Sequence, residues 1–405
     1  MSSQGCVLRW LMALLVLGFL TASPTQAGNK DPVELIQAQT EIPEEQLLDV
    51  GIHVFDPGLP EDEEALFGLE EKGVFPDVRK SEARYIPFQL KQTLQSTGYW
   101  GAVRVVPAAN AVDVMVSGTI LKSHGKNLEV EIEVLDARGQ RWLKKRYKRE
   151  ASVSAYTKKR GIAEQPDPYQ FLYNEIANDI LEKRRKLDEE DIQQVRLLSQ
   201  LKFAVDLAPT PFEEYLKVDK KGRYSIEKLP AHDDPMMVRV NDIRERDFMF
   251  IDTLNEFYAN FYLKMDAPYD DWRAFSYEEE VRLARMRKEA WIRMLAGVGA
   301  MAGGIATRRG GVSVIGGMVM ADGMSKLEEA KMHRETLKEL AASLDADIAP
   351  LLIDMEGELT RLTGSVETQY ATWRNLLRKI FASETGLPID PNSETPLAEP
   401  GPSNP

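Results

Sequence analysis

The sequence predicts an α+β protein: a small mixed α/β domain of strand, helix, strand and β-meander, then a mostly helical module carrying a Gly-rich hairpin. Three observations lead there. Between about 45 and 155 apolar residues recur at every second position, the period of a half-buried strand. From about 165 to 386 they recur at every third or fourth position, the period of a helix face. Between the helical stripes lies a stretch, 293–324, rich in Gly and Ala and almost free of charge.

The bulk numbers bound the class. A chain of 405 residues is long enough for two or three domains with a well-buried core. Charged residues are 28% and hydrophobic ones 43%, a globular balance. A net charge of −13 argues against a nucleic-acid partner, which needs a basic face.

Residues 1–27 stand apart. Arg9 is their only charge; an apolar run from Trp10 to Leu20 follows, then small residues with Thr25 and Ala27 at the cleavage positions. The run is too short to span a bilayer. It reads as a secretory signal cleaved after Ala27, which takes one positive charge with it and leaves −14. Cys6 is the only cysteine and lies ahead of the apolar run, so the mature chain has no disulfide, no thiolate nucleophile and no cysteine-bound metal. An exported protein without disulfides suits a bacterial periplasm.

In the first domain, 28–155, Val50, Ile52 and Val54 alternate with Gly51 and His53 and predict a strand that Pro57-Gly58 ends. Ile86, Leu90 and Leu94, four apart, predict a helix stopped by Gly98. "VRVVP" is a short strand. Leu128, Val130, Ile132 and Val134 alternate with Glu129, Glu131 and Glu133, so one face is buried and the other acidic and wet. Gly125 and the Asp136–Gly139 run mark the turns of the meander.

The phrases "GIHVFDP", "IPFQLKQTLQSTG" leading into "WGAVRVVP", "VDVMVSGTI" and "LEVEIEVLDARGQRW" carry a resemblance. Over about a quarter of the chain this part resembles the small α/β domain of the Tol-system periplasmic propeller protein and of the curli-secretion lipoprotein family. The resemblance implies protein contacts in the envelope and no chemistry. No propeller repeat follows, and the curli pore hairpins are not recognisable, so neither family's whole function is implied.

The helical module, 165–386, opens with a long helical region after a Pro-rich lead-in; Ile176, Ile180 and Leu187 form its stripe and 183–186 a basic patch. "YLKVDKKGRYSIEKLP" predicts a hairpin turning at Lys221-Gly222. Ile243, Phe250, Leu254, Phe257, Phe261 and Met265 share the face of the next helix, a stripe expected to be core packing. From 326 to 382 an eleven-residue apolar repeat (Leu337, Leu340, Leu344, Ile348 and onward to Phe381) predicts one helix roughly 80 Å long, kinked at Pro350. From Ser383 the chain has six prolines and no apolar period, so 387–405 is expected to be a disordered tail.

Three readings compete for the glycine stretch. In the first, arms 294–307 and 311–324 form a hairpin in or at a membrane. Gly299 and Gly303 have small-xxx-small spacing, Gly304, Gly316 and Gly317 let backbones touch, and Arg308 and Arg309 form a positive turn. Against it, each fourteen-residue arm gives only about 21 Å of helix where about 30 Å is needed, and Asp322 sits in the second arm. In the second, the same small residues pack a soluble hairpin or an oligomer seam. In the third, the stretch is a loop. The basic, Trp-bearing "RLARMRKEAWIR" before it suits an interfacial anchor or a solvated helix face.

Catalytic patterns do not emerge. The four histidines (His53, His124, His232, His333) make no metal-binding spacing, and "HDDP" reads as a turn or helix cap. Glu278–Glu280 reads as a helix start. The sequence has no G-x-S-x-G, no P-loop and no dinucleotide fingerprint. The expectation is a non-catalytic, membrane-associated envelope adaptor with no catalytic residue, cofactor or metal. Its expected partners are other envelope proteins, the inner or outer membrane and copies of itself. A soluble secretion-accessory assembly and an enzyme with a hidden site are the alternatives.

Overall fold

Strand β1 (Val50–His53) lies between two parallel neighbours, β2 (Val103–Val106) and β3 (Val114–His124), and β4 (Asn127–Asp136) and β5 (Arg141–Glu150) return antiparallel. The sheet order is β2-β1-β3-β4-β5, so the chain is α+β as its sequence predicts. The computed structural model describes residues 32–66, 68–70, 73–106, 112–157, 166–231, 233–307, 339, 342 and 366–387.

A parallel pair needs a crossover, and helix α1 (Pro76–Ser96) supplies it. Ile86, Leu90 and Leu94 are buried on its sheet-facing side, and Gly98 (φ 70°) ends it. The helix begins well before the spaced residues, with Pro76 at its first turn, where a missing N–H costs nothing. It also runs through Pro87. That proline has no N–H to offer the Ala83 carbonyl four residues back. The Phe55 N–H donates to that carbonyl instead, at 2.9 Å, and so ties the end of β1 to the middle of the helix.

Along β4 the four aliphatic residues point inward as predicted. The three glutamates do not form a bare acidic face. Glu129, Glu131 and Glu133 stand opposite Lys148, Arg146 and Lys144 of β5, and Arg146 Nε lies 3.0 Å from Glu131. Exposed pairs of this kind add little stability. The lysines and arginines of β5 do keep a sheet edge charged, which discourages pairing with a second chain.

The predicted long helical region is two helices, α2 (Gln170–Arg184) and α3 (Glu189–Leu207). Asp188 divides them: its carboxylate accepts from the Asp191 N–H at 2.8 Å and caps the second. A hairpin of β6 (Leu216–Val218) and β7 (Tyr224–Ile226) turns at Gly222 (φ 74°), as predicted.

Helix α4 (Pro235–Thr307) runs 73 residues, about 110 Å at the usual rise. The Asp234 carboxylate accepts from the Met236 N–H at its start, so the cap predicted for "HDDP" is real at Asp234. Glu278–Glu280 lie inside α4, not at a helix start. No glycine precedes them within the helix to end a turn, and Pro268 is absorbed without a break. Helix α5 (Val366–Thr385) keeps the predicted spacing: Tyr370, Leu377 and Phe381 are buried. Of the rest of the 326–382 helix only Glu339 and Ala342 are described, both helical. Pro350 and the tail from 388 lie outside the described residues.

The main apolar core joins the sheet, α1, α2 and the middle of α4 through Tyr258, Phe261, Met265, Tyr269 and Trp272. A second cluster joins α3, the start of α4 and α5 through Phe203, Val240, Ile243, Leu377 and Phe381. Elements beyond residue 155 therefore complete the core that the sheet begins.

Candidate functional site

The feature that joins the sheet to the glycine-rich stretch is α4, and the seat of α4 is built from polar groups. Asn255 is its first fixed point. β2 is an edge strand, so the outer N–H and C=O of Val105 have no strand partner. The Asn255 side chain replaces one: its Oδ1 accepts from Val105 N–H at 2.9 Å and its Nδ2 donates to Val105 C=O at 3.1 Å. One turn earlier, Asp252 takes a two-pronged bond from Arg104 of β2, at 2.7 and 3.0 Å.

Further along, tyrosines carry the contact between α4 and α1. Tyr85 stacks on Tyr262 with ring centroids 4.6 Å apart and donates to Asp266 at 2.7 Å. Tyr262 donates to Gln89, and Tyr269 donates to Glu82, each at 2.7 Å. Glu82 is fully buried, also accepts from Ser123 at 2.6 Å, and lies 3.6 Å from Arg79. Burial lifts its carboxyl above the ordinary range, against the pull of Arg79 and the two hydroxyl donors. A raised carboxyl is a mark of general acids, but this one is sealed from solvent. It acts as a tie between three elements.

Arg273 closes the seat. Its guanidinium donates to Asp167 at 2.8 Å, pairs with Asp270 and lies over the Tyr269 ring, 4.3 Å from its centroid. The Arg273 and Asp167 side chains are each 2% exposed. Burial alone would depress the arginine; Asp167 and its other partners outweigh that, so the guanidinium stays charged. Breaking such a pair from one side costs about 3–5 kcal/mol, because the survivor is left buried and unpaired. At the β3–β4 turn the Gly125 N–H reaches Ser276 at 3.2 Å, and the backbones are so close that a Cβ on Gly125 would strike the Arg273 carbonyl.

A second polar assembly lies at the amino ends of the parallel strands. A cleft of about 310 Å³ is lined by Asp49, Asp113, Arg196, Gln200 and Arg244 among others. Ser199 donates to Asp113 and accepts from Arg244 at 2.9 Å. Asp113 also accepts from the Asp49 N–H at 2.9 Å, and burial raises its carboxyl. The serine is thus held between a carboxylate and a guanidinium with no imidazole beside it, an arrangement that joins α3, α4 and the sheet and does not activate an oxygen.

Of the residues singled out in the sequence, Gly299, Gly303 and Gly304 fall on the last turns of α4, in one helix with the seat. Arg308, Arg309, Gly316 and Gly317 lie outside the described residues, as does the second arm. Among the described residues no helix is long and apolar enough to cross a membrane, and no three His, Cys, Asp or Glu gather as a metal site. The seat itself was missed. Its signal was present: extending the stripe past Met265, across Pro268, in steps of four and three lands on Tyr269, Trp272 and Ser276. Comparison with protein-family models, curated proteins and solved structures finds no match for the chain.

Proposed function

We propose that this is a non-catalytic bacterial cell-envelope protein, a periplasmic adaptor whose sheet domain is held at a membrane by the glycine-rich stretch. One observation carries the reading: α4 runs unbroken from the sheet's edge at Asn255 through Gly299 and Gly303 to Thr307. From Ser276, the last residue bonded to the sheet's turn, 31 residues of helix lead to Thr307, about 46 Å. A sheet suited to protein contacts and a segment suited to lipid or helix packing are thereby fixed to one rod. The two buried polar assemblies serve its rigidity. Partners in this reading are other envelope proteins and a membrane, and the chain leaves the cytoplasm through its cleaved first 27 residues.

Carbonate and high-salt extraction of membranes tests the reading. Retention through carbonate supports insertion, and complete release by salt alone removes it. Gly299→Leu with Gly303→Leu should weaken membrane partitioning by forcing the arms apart; Arg308→Glu with Arg309→Glu should do so by spoiling the positive turn. If both double variants partition like the parent, the small residues serve a soluble seam. The amino terminus of the envelope-located protein should be Gly28 by mass spectrometry, and an intact Met1 there would refute the export signal.

A further inference from the structure

Within α4, residues 282–293 hold five basic residues and one acid, a net charge of +4 in a chain of −13. Their arrangement is one-sided. Leu283 and Ala290 are buried on one face at 3% and 0% exposure. At about 100° per residue, Arg287, Trp291, Lys288, Ile292 and Arg285 share an arc of roughly 160° on the other. All five are exposed, Trp291 at 65% and Ile292 at 56%. A single exposed apolar residue needs no explanation. A Trp and an Ile side by side, ringed by three cations, and followed in the same helix by the fourteen uncharged residues 294–307, form an amphipathic edge of a particular kind.

We infer that this arc is a docking surface for anionic phospholipid, with Trp291 and Ile292 seated among the headgroups and Arg285, Arg287 and Lys288 on lipid phosphates. The inference rests on the membrane reading above and adds which lipids the protein meets and through which residues. Charge complementarity supports it: the rest of the chain repels an anionic surface, so this belt must supply the attraction. Indole at the headgroup level beside arginine and lysine is the physical pattern of interfacial helices. Three basic groups against an anionic leaflet contribute together about a hundredfold in partitioning, weakened as salt shortens the screening length.

The test is flotation of the full chain with vesicles of phosphatidylcholine alone and with one third phosphatidylglycerol. The parent should float at least tenfold better with the anionic vesicles, and high salt should reduce the difference. The triple variant Arg285→Gln, Arg287→Gln, Lys288→Gln should lose about a hundredfold, and Trp291→Ala several-fold. A control triple, Lys217→Gln, Lys220→Gln, Lys221→Gln, removes the same charge from the exposed β6–β7 hairpin and should float like the parent. All substituted side chains are exposed, and circular dichroism should confirm unchanged folding. Equal flotation with both vesicle types, or a belt variant that floats like the parent, overturns the inference while leaving membrane association intact. Failure to float with either vesicle removes both readings.

Discussion

Replacing Asn255 by leucine should destabilise the protein by about 1–5 kcal/mol, although the two side chains have the same branched shape. Asn255 is 6% exposed, so its replacement neither fills nor empties much space. What changes is the edge of the sheet. Val105 is fully buried, and its N–H and C=O would each lose their only side-chain partner. A buried backbone group left unpaired costs about 1–3 kcal/mol, hence about 2–6 kcal/mol for two, less about 1 kcal/mol for the added apolar burial. With a urea slope of about 3 kcal/mol/M, the midpoint should fall by roughly 0.3–1.7 M. Asn255→Asp separates donor from acceptor: it keeps an oxygen for Val105 N–H and turns a carboxylate oxygen toward Val105 C=O. Its penalty should be smaller at acidic than at neutral pH, because a protonated carboxyl donates again. A leucine variant whose midpoint stays within about 0.2 M of the parent would refute the view that this amide replaces a strand.

Burial, with Lys122, Arg79 and Lys126 nearby, holds the His124 pKa down to about 3 from 6.5. Between those values the unfolded chain binds a proton that the folded chain refuses, so stability is full above pH 6.5 and falls on acidification, by up to a few kcal/mol. His124→Leu should flatten that acid limb in urea midpoints measured across pH; parallel curves would show that His124 does not set it. Arg374→Met removes the ion-pair partner of Asp247 and one of two on Asp206, where Arg378 stays, and should loosen α5, costing about 3–5 kcal/mol. Limited proteolysis should then cut within 366–387, and unchanged resistance would count against the ion pairs as the clasp. Gly125→Ala places a methyl against the Arg273 carbonyl and the Tyr277 amide and should cost about 1–3 kcal/mol by thermal melting, whereas an unchanged midpoint would mean the turn yields freely.

Strands, meander and turns were legible because one residue type decides each. Val130 and Ile132 alternate with glutamates on a two-faced strand, and Gly139 takes the positive φ that its turn requires. Helix extents were less legible. Asp188 looked like one more charge in a polar run until its cap showed that it ends one helix and begins another. Two prolines need more than local rules: Pro87 and Pro268 both sit inside helices, the first with a replacement donor supplied by Phe55, from another part of the chain. The seat of α4 was hidden because its chemistry is non-local. Nothing near Glu82 announces Tyr269, 187 positions away, and the row Glu129–Glu133 looks acidic until β5 is laid against it. Gly299 and Gly303 were singled out by spacing, a local property, and four residues apart on one helix they share a face.

The pairing of Asn255 with Val105 spans 150 residues of sequence. A ribosome adding about 5–20 residues per second produces that interval in about 8–30 s. Once β5 ends at Glu150, for the last 105 residues of that interval, the sheet's five strands all exist as chain, while the amide that closes the β2 edge has yet to be made. The opposite edge carries its own deterrent in the lysines and arginines of β5; β2, "VRVV", carries one arginine and three valines. The newborn protein therefore has an adhesive side and a timed vulnerability, so its yield in a cell depends on how quickly the long helix follows or on what holds the chain unfolded until it does.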